Sequence, residues 1–486
     1  MNKSRLFFSG KVIILVLFIA LIVILKPYIF STVENNSRKV ESQTKTRNIQ
    51  VNFQSDDKSA FGIYEDLRGK IQSHKAGAKD IDGFRRVITD DNEIDGIIKT
   101  LGIPKSMRDT EYYERLYSQF IQASPNSDVL YDYLKIELLN ILKKADKNDT
   151  LRANIYAWQW AYGAQAAVLA YTATNDERFL DLIVSTYDVI LKFRDSERNR
   201  PDVVRNRILH SWGTGRPPSE VKIDKKGWWS NAVTHTGRIT YPVSSFCKVV
   251  FDDKRLHVKY LKKAQYYLQS VEDAVREFDK DFKVISDAGE GYYLNPISGR
   301  VEPLNHAHSM GNTLVMLYSI SGNEEYRSKA EKLAKYFLSS VKTEENGSYV
   351  WVYNPVPDDR YTRTREYVWK GQITISFPVL AYSHGIAFDS KDMTALTKTF
   401  LEDIYIEKCS FNSIISTKKK TLSSFKKKYE HEGIIAWIIL DKYNPEIRRI
   451  IETSVAECPD LYPKGWFSNV KTALAYSYRL NNGQRI

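Results

Sequence analysis

A chain of 486 residues, 43% of them hydrophobic and with no long low-complexity tract, has the composition of a globular protein with a large core, which sets aside disordered and fibrous classes. Its net charge of +12 favours an acidic partner. Nucleic acid is not that partner, because no zinc-finger spacing, recognition-helix pattern or sheet-type aromatic motif is present.

The first element is an unbroken apolar run from Val12 to Leu25, lengthened by Leu6 to Phe8 before it and Tyr28 to Phe30 after it. Lys3 and Arg5 would suit the start of a signal peptide, but no small-x-small cleavage site follows closely. The sequence therefore predicts an uncleaved transmembrane anchor in residues 1–30, contacting the membrane through residues 6–30. The bulk of a single-pass membrane protein would then lie in the periplasm or otherwise outside the cytoplasm, in a lumen if the source is eukaryotic. Residues 31–60 are polar and without pattern, as a tether would be. Residues 61–150 form a helical preface, in which Leu134, Leu138, Ile141 and Leu142 share one helical face.

From residue 151 to 486 one plan recurs. Four stretches begin with a buried helix whose start is polar and continue through a short turn into an amphipathic helix. They run from Tyr162 to Tyr171, from His235 to Phe246, from His306 to Tyr318 and from Thr374 to Tyr382. Gly163, Pro242, Gly311 and Pro378 mark equivalent positions, and so regular a period signals an array of supersecondary units. Alternating inner and outer helices close into a toroid whose inner helix starts ring one mouth. The fold class expected is all-α, an (α/α) toroid of helical hairpins.

Between the first two hairpins, Arg205 to Trp229 is too long for an ordinary connection and reads as a lid or binding wall. It contains Trp212, Trp228 and Trp229. Tyr349 to Pro355 alternates like a short strand and presents Trp351 and Tyr353. Aromatic rings in such places either fill helix interfaces or stack on sugars. Lys418 to Lys420 with Lys426 to Lys428 is the densest basic cluster, a solvated face or a binding patch. His431 to Tyr443 and Gly465 to Arg479 are helical patterns able to complete the ring. Cys247, Cys409 and Cys458 are far apart and lack metal-ligand spacing, so no metal and no dependence on disulfides is expected.

Three constellations could perform chemistry. In Asn305-His306-Ala307-His308 a proline turn feeds polar side chains onto the first turn of a buried helix, where backbone N–H groups favour an anion. Either Asn305 and His306 serve a site, or Asn305 caps the helix and a histidine is a satisfied core residue. His235, Arg238 and Tyr241 succeed one another at intervals of three and can share a helix face. There Arg238 offers a planar fork for a carboxylate, or pairs with a structural aspartate. Glu366 and Lys370 have i,i+4 spacing, which suits an ion pair as well as catalysis. No P-loop, dinucleotide fingerprint, GxSxG or HExxH occurs, so no cofactor is expected.

These residues resemble the six-hairpin, (α/α)-toroid superfamily of carbohydrate-active enzymes. The resemblance covers about residues 150 to 405 and rests on Thr234 to Arg238, Pro303-Leu304-Asn305, Leu317-Tyr318 with Gly322 to Tyr326, and Trp351 to Pro355 followed by Glu366. It implies an acidic, uronate-containing polysaccharide as partner and β-elimination or C5 epimerisation as reaction. The resemblance casts His235, Tyr241, His306 and Glu366 as catalytic residues. It gives Arg238, Asn305, Trp212, Trp228, Trp229, Trp351 and Tyr353 to substrate binding. Asn305 lacks the second asparagine found before it in alginate-lyase-like patterns. The alternatives are a glycoside hydrolase of the same shape, with two carboxylates across the cleft, and a non-catalytic glycan-binding or assembly protein. His235, Arg238, Tyr241, Asn305, His306 and Glu366 are expected to face one cavity.

Overall fold

Two kinds of helix alternate along the chain, and their burial explains how they stack. Some are apolar almost all round, such as Ala161–Thr174, where nearly every residue is buried. Others bury a single stripe, such as Glu324–Leu338, which hides Tyr326, Ala330, Leu333, Ala334 and Phe337 and turns its charges outward. Helices of the first kind must be enclosed, and helices of the second kind enclose them.

This computed structural model describes residues 127–216, 227–285, 287–417, 433–458 and 468–483, all within the compact unit Asp57–Ile486. The inner layer consists of α2 (Ala161–Thr174), α4 (Val233–Asp252), α6 (Leu304–Ser321), the paired short helices α8 (Val368–Thr374) and α9 (Ser376–Ser383), a 3₁₀ segment (Ile435–Leu440) and α12 (Ser468–Gly483). Each packs on the next, and α12 returns to pack on α2, closing the ring. The outer layer is α1 (Ser127–Asp146), α3 (Arg178–Leu191), α5 (His257–Arg276), α7 (Glu324–Leu338), α10 (Ser390–Lys398) and α11 (Pro445–Glu457). Helix α1, placed by the sequence in a preface, packs against α2, α3 and α12 as part of this layer.

Sheets among the described residues are two-stranded ladders. Those that matter for the site precede inner helices. β1 (Gly213–Thr214) pairs with β2 (Ser230–Asn231) before α4, β3 (Phe282–Ile285) with β4 (Glu290–Tyr293) before α6, and β5 (Val341–Thr343) with β6 (Tyr349–Trp351) before α8. Asn323, Asp389 and Asn444 cap α7, α10 and α11 with their side chains.

The α4–α6 crossing fixes the distance between two inner helix starts. A Cβ on Gly237 would lie 2.4 Å from the Met310 backbone nitrogen and 2.5 Å from the Ser309 carbonyl carbon. Only glycine allows that approach. Thr313 Oγ1 donates to the Gly237 carbonyl at 3.2 Å, and the hydroxyls of Thr240 and Thr313 meet at 2.9 Å.

Two expectations need correction. Cys409 and Cys458, 49 residues apart, form a disulfide that ties the segment after α10 to the end of α11, with Cα atoms 6.0 Å apart. The membrane localisation is also overturned: among the described residues no helix is long and apolar enough to cross a membrane. The proposed anchor (residues 1–30), the tether and the Lys418–Lys428 cluster lie outside the described residues.

Candidate active site

The starts of α4 and α6 open into a cleft of about 930 Å³. Ala232 enters α4 in extended conformation, so Thr234 and His235 on its first turn face the opening. Pro303 does the same for α6, placing His306. The Leu304 N–H, unpaired within its own helix, donates to the Tyr353 carbonyl at 3.2 Å and brings Tyr353 and Asn354 to the same wall. Ahead of α2 the helix winds into a π turn, Tyr156–Trp160, which projects Trp158 into the cleft. Such bulges often mark functional sites. Trp228 completes the aromatic lining.

His306 and Glu302 form a dyad. His306 Nδ1 lies 2.7 Å from Glu302 Oε2, and the carboxylate, 4% exposed, also accepts from Asn295 Nδ2 at 2.8 Å. A buried carboxylate accepts, so His306 carries its proton on Nδ1 and presents the Nε2 lone pair, with 24% of the side chain exposed. His235 is held differently. Asn154 Nδ2 donates to its Nε2 at 3.1 Å, which places the proton on Nδ1. Burial, aided by the nearby His306, pushes its affinity for a second proton down to about 3, so it stays neutral. Trp158 stands between the two imidazoles, 6.2 Å from His235 and 6.5 Å from His306 by ring centroid.

Five buried polar atoms of cleft-lining residues have no hydrogen-bond partner among the described residues: Arg205 Nε, Trp228 Nε1, Thr234 Oγ1, His235 Nδ1 and Asn354 Oδ1. Buried polar groups are ordinarily satisfied, so this set marks where a polar ligand or water belongs. The cleft's carboxylates are Glu302 and Asp281, and Asp281 is paired with Arg205 at 2.5 Å. Arg216 and Arg300 stand exposed on the rim.

Of the expected catalytic and binding residues, the structure brings His235, His306, Tyr353 and Trp228 to this cleft. The others lie elsewhere. Arg238, 4% exposed, sits one turn deeper, donating Nε to the Ala157 carbonyl at 3.3 Å with its guanidinium 4.1 Å above the Tyr162 ring. Tyr241 is deeper still; its hydroxyl accepts from Gln165 at 3.4 Å, and burial pushes it up to about 12. Asn305 points inward and is 2% exposed. Glu366 is fully buried, accepting from the Trp351 indole and the Thr374 hydroxyl, and burial raises its carboxyl to about 7. These two bonds and the charge of Lys370 act against that rise, and burial outweighs them.

Trp351 is thereby a core residue. So are Trp212, bonded to the Ile190 carbonyl at 2.9 Å, and Trp229, bonded to Asp195 at 2.9 Å. The sequence alone does not single out Asn154, Trp158, Asn295 or Arg300. The i,i+4 spacing of Glu302 and His306 was the one signal available for the dyad.

No family model matches the chain, and no curated protein matches it. Solved structures do resemble it. An α-1,6-mannanase of Salegentibacter sp. HEL1_6 is 12% identical, covering 73% of this chain and 99% of its own, with a TM-score of 0.46. The unsaturated glucuronyl hydrolase of Bacillus sp. GL1 is 14% identical over 67% of this chain and 86% of its own, with a TM-score of 0.37. A polysaccharide lyase is 10% identical over 71% and 97%, also at 0.37. Each of these likenesses is distant.

Proposed function

We propose that the chain is an enzyme acting on an acidic, uronate-containing polysaccharide, by β-elimination or C5 epimerisation, at the cleft between α4 and α6. The observation that supports this most is the Glu302–His306 dyad, which aims a basic Nε2 into a cleft lined by aromatic rings and unpartnered polar atoms. Sugars offer apolar faces and hydroxyl edges, and such a lining complements both.

His306 Nε2 takes the C5 proton of the uronate, and the adjacent Glu302 carboxylate stabilises the imidazolium that results. His235, neutral with an unpartnered Nδ1–H, donates to the substrate carboxylate as negative charge grows on it. In elimination the C5–H electron pair becomes the C4–C5 double bond while the C4–O4 bond breaks, and the leaving oxygen recovers the proton from His306. In epimerisation a water on the opposite face reprotonates C5, and His306 returns the proton it took to solvent. Arg216 and Arg300 favour an anionic chain at the mouth.

The test is incubation with a panel of defined uronate polysaccharides, following both the ultraviolet absorbance of unsaturated uronates and the release of reducing ends. Absorbance that depends on His306 supports elimination, and inversion at C5 without chain cleavage supports epimerisation. Reducing ends without absorbance point instead to hydrolysis, which calls for two carboxylates about 5 to 9.5 Å apart across the cleft. Binding without turnover points to a glycan-binding protein.

A further inference from the structure

The turn between β4 and α6 is built around one side chain that belongs to both the cleft rim and the dyad. Leu294 and Val301 bridge across its base, and the Glu302 N–H donates to the Tyr293 carbonyl at 2.8 Å, so the strand geometry sets where Glu302 begins. Within the turn, Asn295 Oδ1 accepts from the backbone N–H groups of Ile297 at 3.0 Å and Ser298 at 3.2 Å. That is the self-capping of an Asx turn. The other end of the same carboxamide, Nδ2, donates to Glu302 Oε1 at 2.8 Å. The turn it shapes brings Ile297, Ser298 and Arg300 to the cleft.

We infer that Asn295 is a positioning residue: its carboxamide couples the substrate-facing turn to the orientation and proton affinity of His306 through Glu302. Glu302 has two oxygens and two side-chain donors, Asn295 on one and His306 on the other. Taking away the neutral donor leaves the carboxylate with more of its charge uncompensated, and the imidazolium is the group placed to compensate it. Any ligand contact that shifts the turn moves Asn295 Nδ2 and changes His306 with it. The charged and titratable groups around His306 are Glu302 behind it, His235 across Trp158, and Tyr353 with the Lys370 ammonium 3.7 Å above its ring. None of the last three touches Asn295 in the hydrogen-bond pattern, so a change at Asn295 reaches His306 by way of Glu302.

This inference rests on the reading of Glu302–His306 as the catalytic base, but its test does not need turnover. The full chain has 8 histidines, few enough to label their rings with ¹⁵N and to assign His306 by comparison with His306→Gln. Asn295→Asp keeps the turn-capping oxygen, loses the donor and sets a second negative charge beside Glu302. Asn295→Ser keeps a weaker cap and adds no charge, and its hydroxyl, one atom shorter than the carboxamide, withdraws the donor from Glu302. In Asn295→Asp the proton affinity of His306 should rise about tenfold, while His235 keeps its tautomer; Asn295→Ser should shift His306 the same way by less. If His306 titrates as in the wild type in both folded variants, Asn295 is only a turn former and the coupling is wrong. Should Asn295→Asp fail to fold, Asn295→Ser alone decides by the same criterion. Loss of activity in His306→Gln speaks to the proposed function separately.

Discussion

Replacing Gly237 with alanine drives a methyl group into the backbone of α6, at 2.4 Å from the Met310 nitrogen and 2.5 Å from the Ser309 carbonyl carbon. No side-chain rotation relieves a contact with backbone, so α4 and α6 must separate. Overpacking of this kind costs about 1–3 kcal/mol, and the strained Thr313–Gly237 hydrogen bond adds about 1 kcal/mol. Alanine returns about 1 kcal/mol through its better helix propensity. The net expectation is a destabilisation of roughly 2 kcal/mol or more, since both contacts are with main chain. Urea unfolding followed by circular dichroism should show a lower midpoint at unchanged slope. Because His235 and His306 stand within about one turn of this crossing, activity should fall more than the folded fraction does. An unchanged or raised midpoint would refute the close approach of these two helices, and with it the geometry that holds the two imidazoles on one cleft.

Glu302→Gln removes the charge behind His306, and turnover should fall by about 10² to 10⁴, the usual worth of general acid–base catalysis, with binding of the polysaccharide retained in a pull-down. Tyr241→Phe should leave turnover near wild type, since Tyr241 contacts Gln165 and not the cleft; a large loss in steady-state rate would return Tyr241 to the catalytic set. Glu366 gives a pH-dependent stability. Its carboxyl ionises at about 7 when folded against an ordinary 4.5, so the folded chain keeps a proton that the unfolded chain has released. Its contribution is full below the lower value and falls by about 3 kcal/mol as pH rises to the higher one. Glu366→Gln should abolish that fall in urea titrations run across the window. His235 and His308, pushed down to about 3 and about 4, act in the opposite sense and weaken the fold as acid is added.

Much of the ring was legible because its period is written in residue types: glycine where inner helices approach, asparagine or aspartate where outer helices begin. Gly311 packs against the Phe377 ring, and Asn323 caps α7. His235 and His306 could be placed at one mouth because inner helices start at the same end. Depth was what spacing could not supply. Arg238 and Tyr241 do follow His235 along one helix, but each interval of three residues moves about 4.5 Å along the axis, away from the mouth. Glu366 misled for another reason: it precedes α8, so helical spacing to Lys370 does not describe it, and its partners come from β6 and the end of α8. Trp158 and Asn154 arise from a π turn and the short helix before it, where no simple period applies. The tryptophans of the long insertion divide by the fate of their N–H groups. Trp212 and Trp229 find acceptors in the core, whereas Trp228 has none among the described residues and faces the cleft.

The most direct measurement of a base at His306 is exchange of the uronate C5 hydrogen with solvent, followed by deuterium incorporation in heavy water or by formation of the unsaturated product. Wild-type protein should exchange or eliminate at C5, and His306→Gln should do neither while still folding and binding the polysaccharide. Turnover without any C5 exchange or elimination, or full C5 chemistry in His306→Gln, would contradict proton abstraction by the Glu302–His306 dyad.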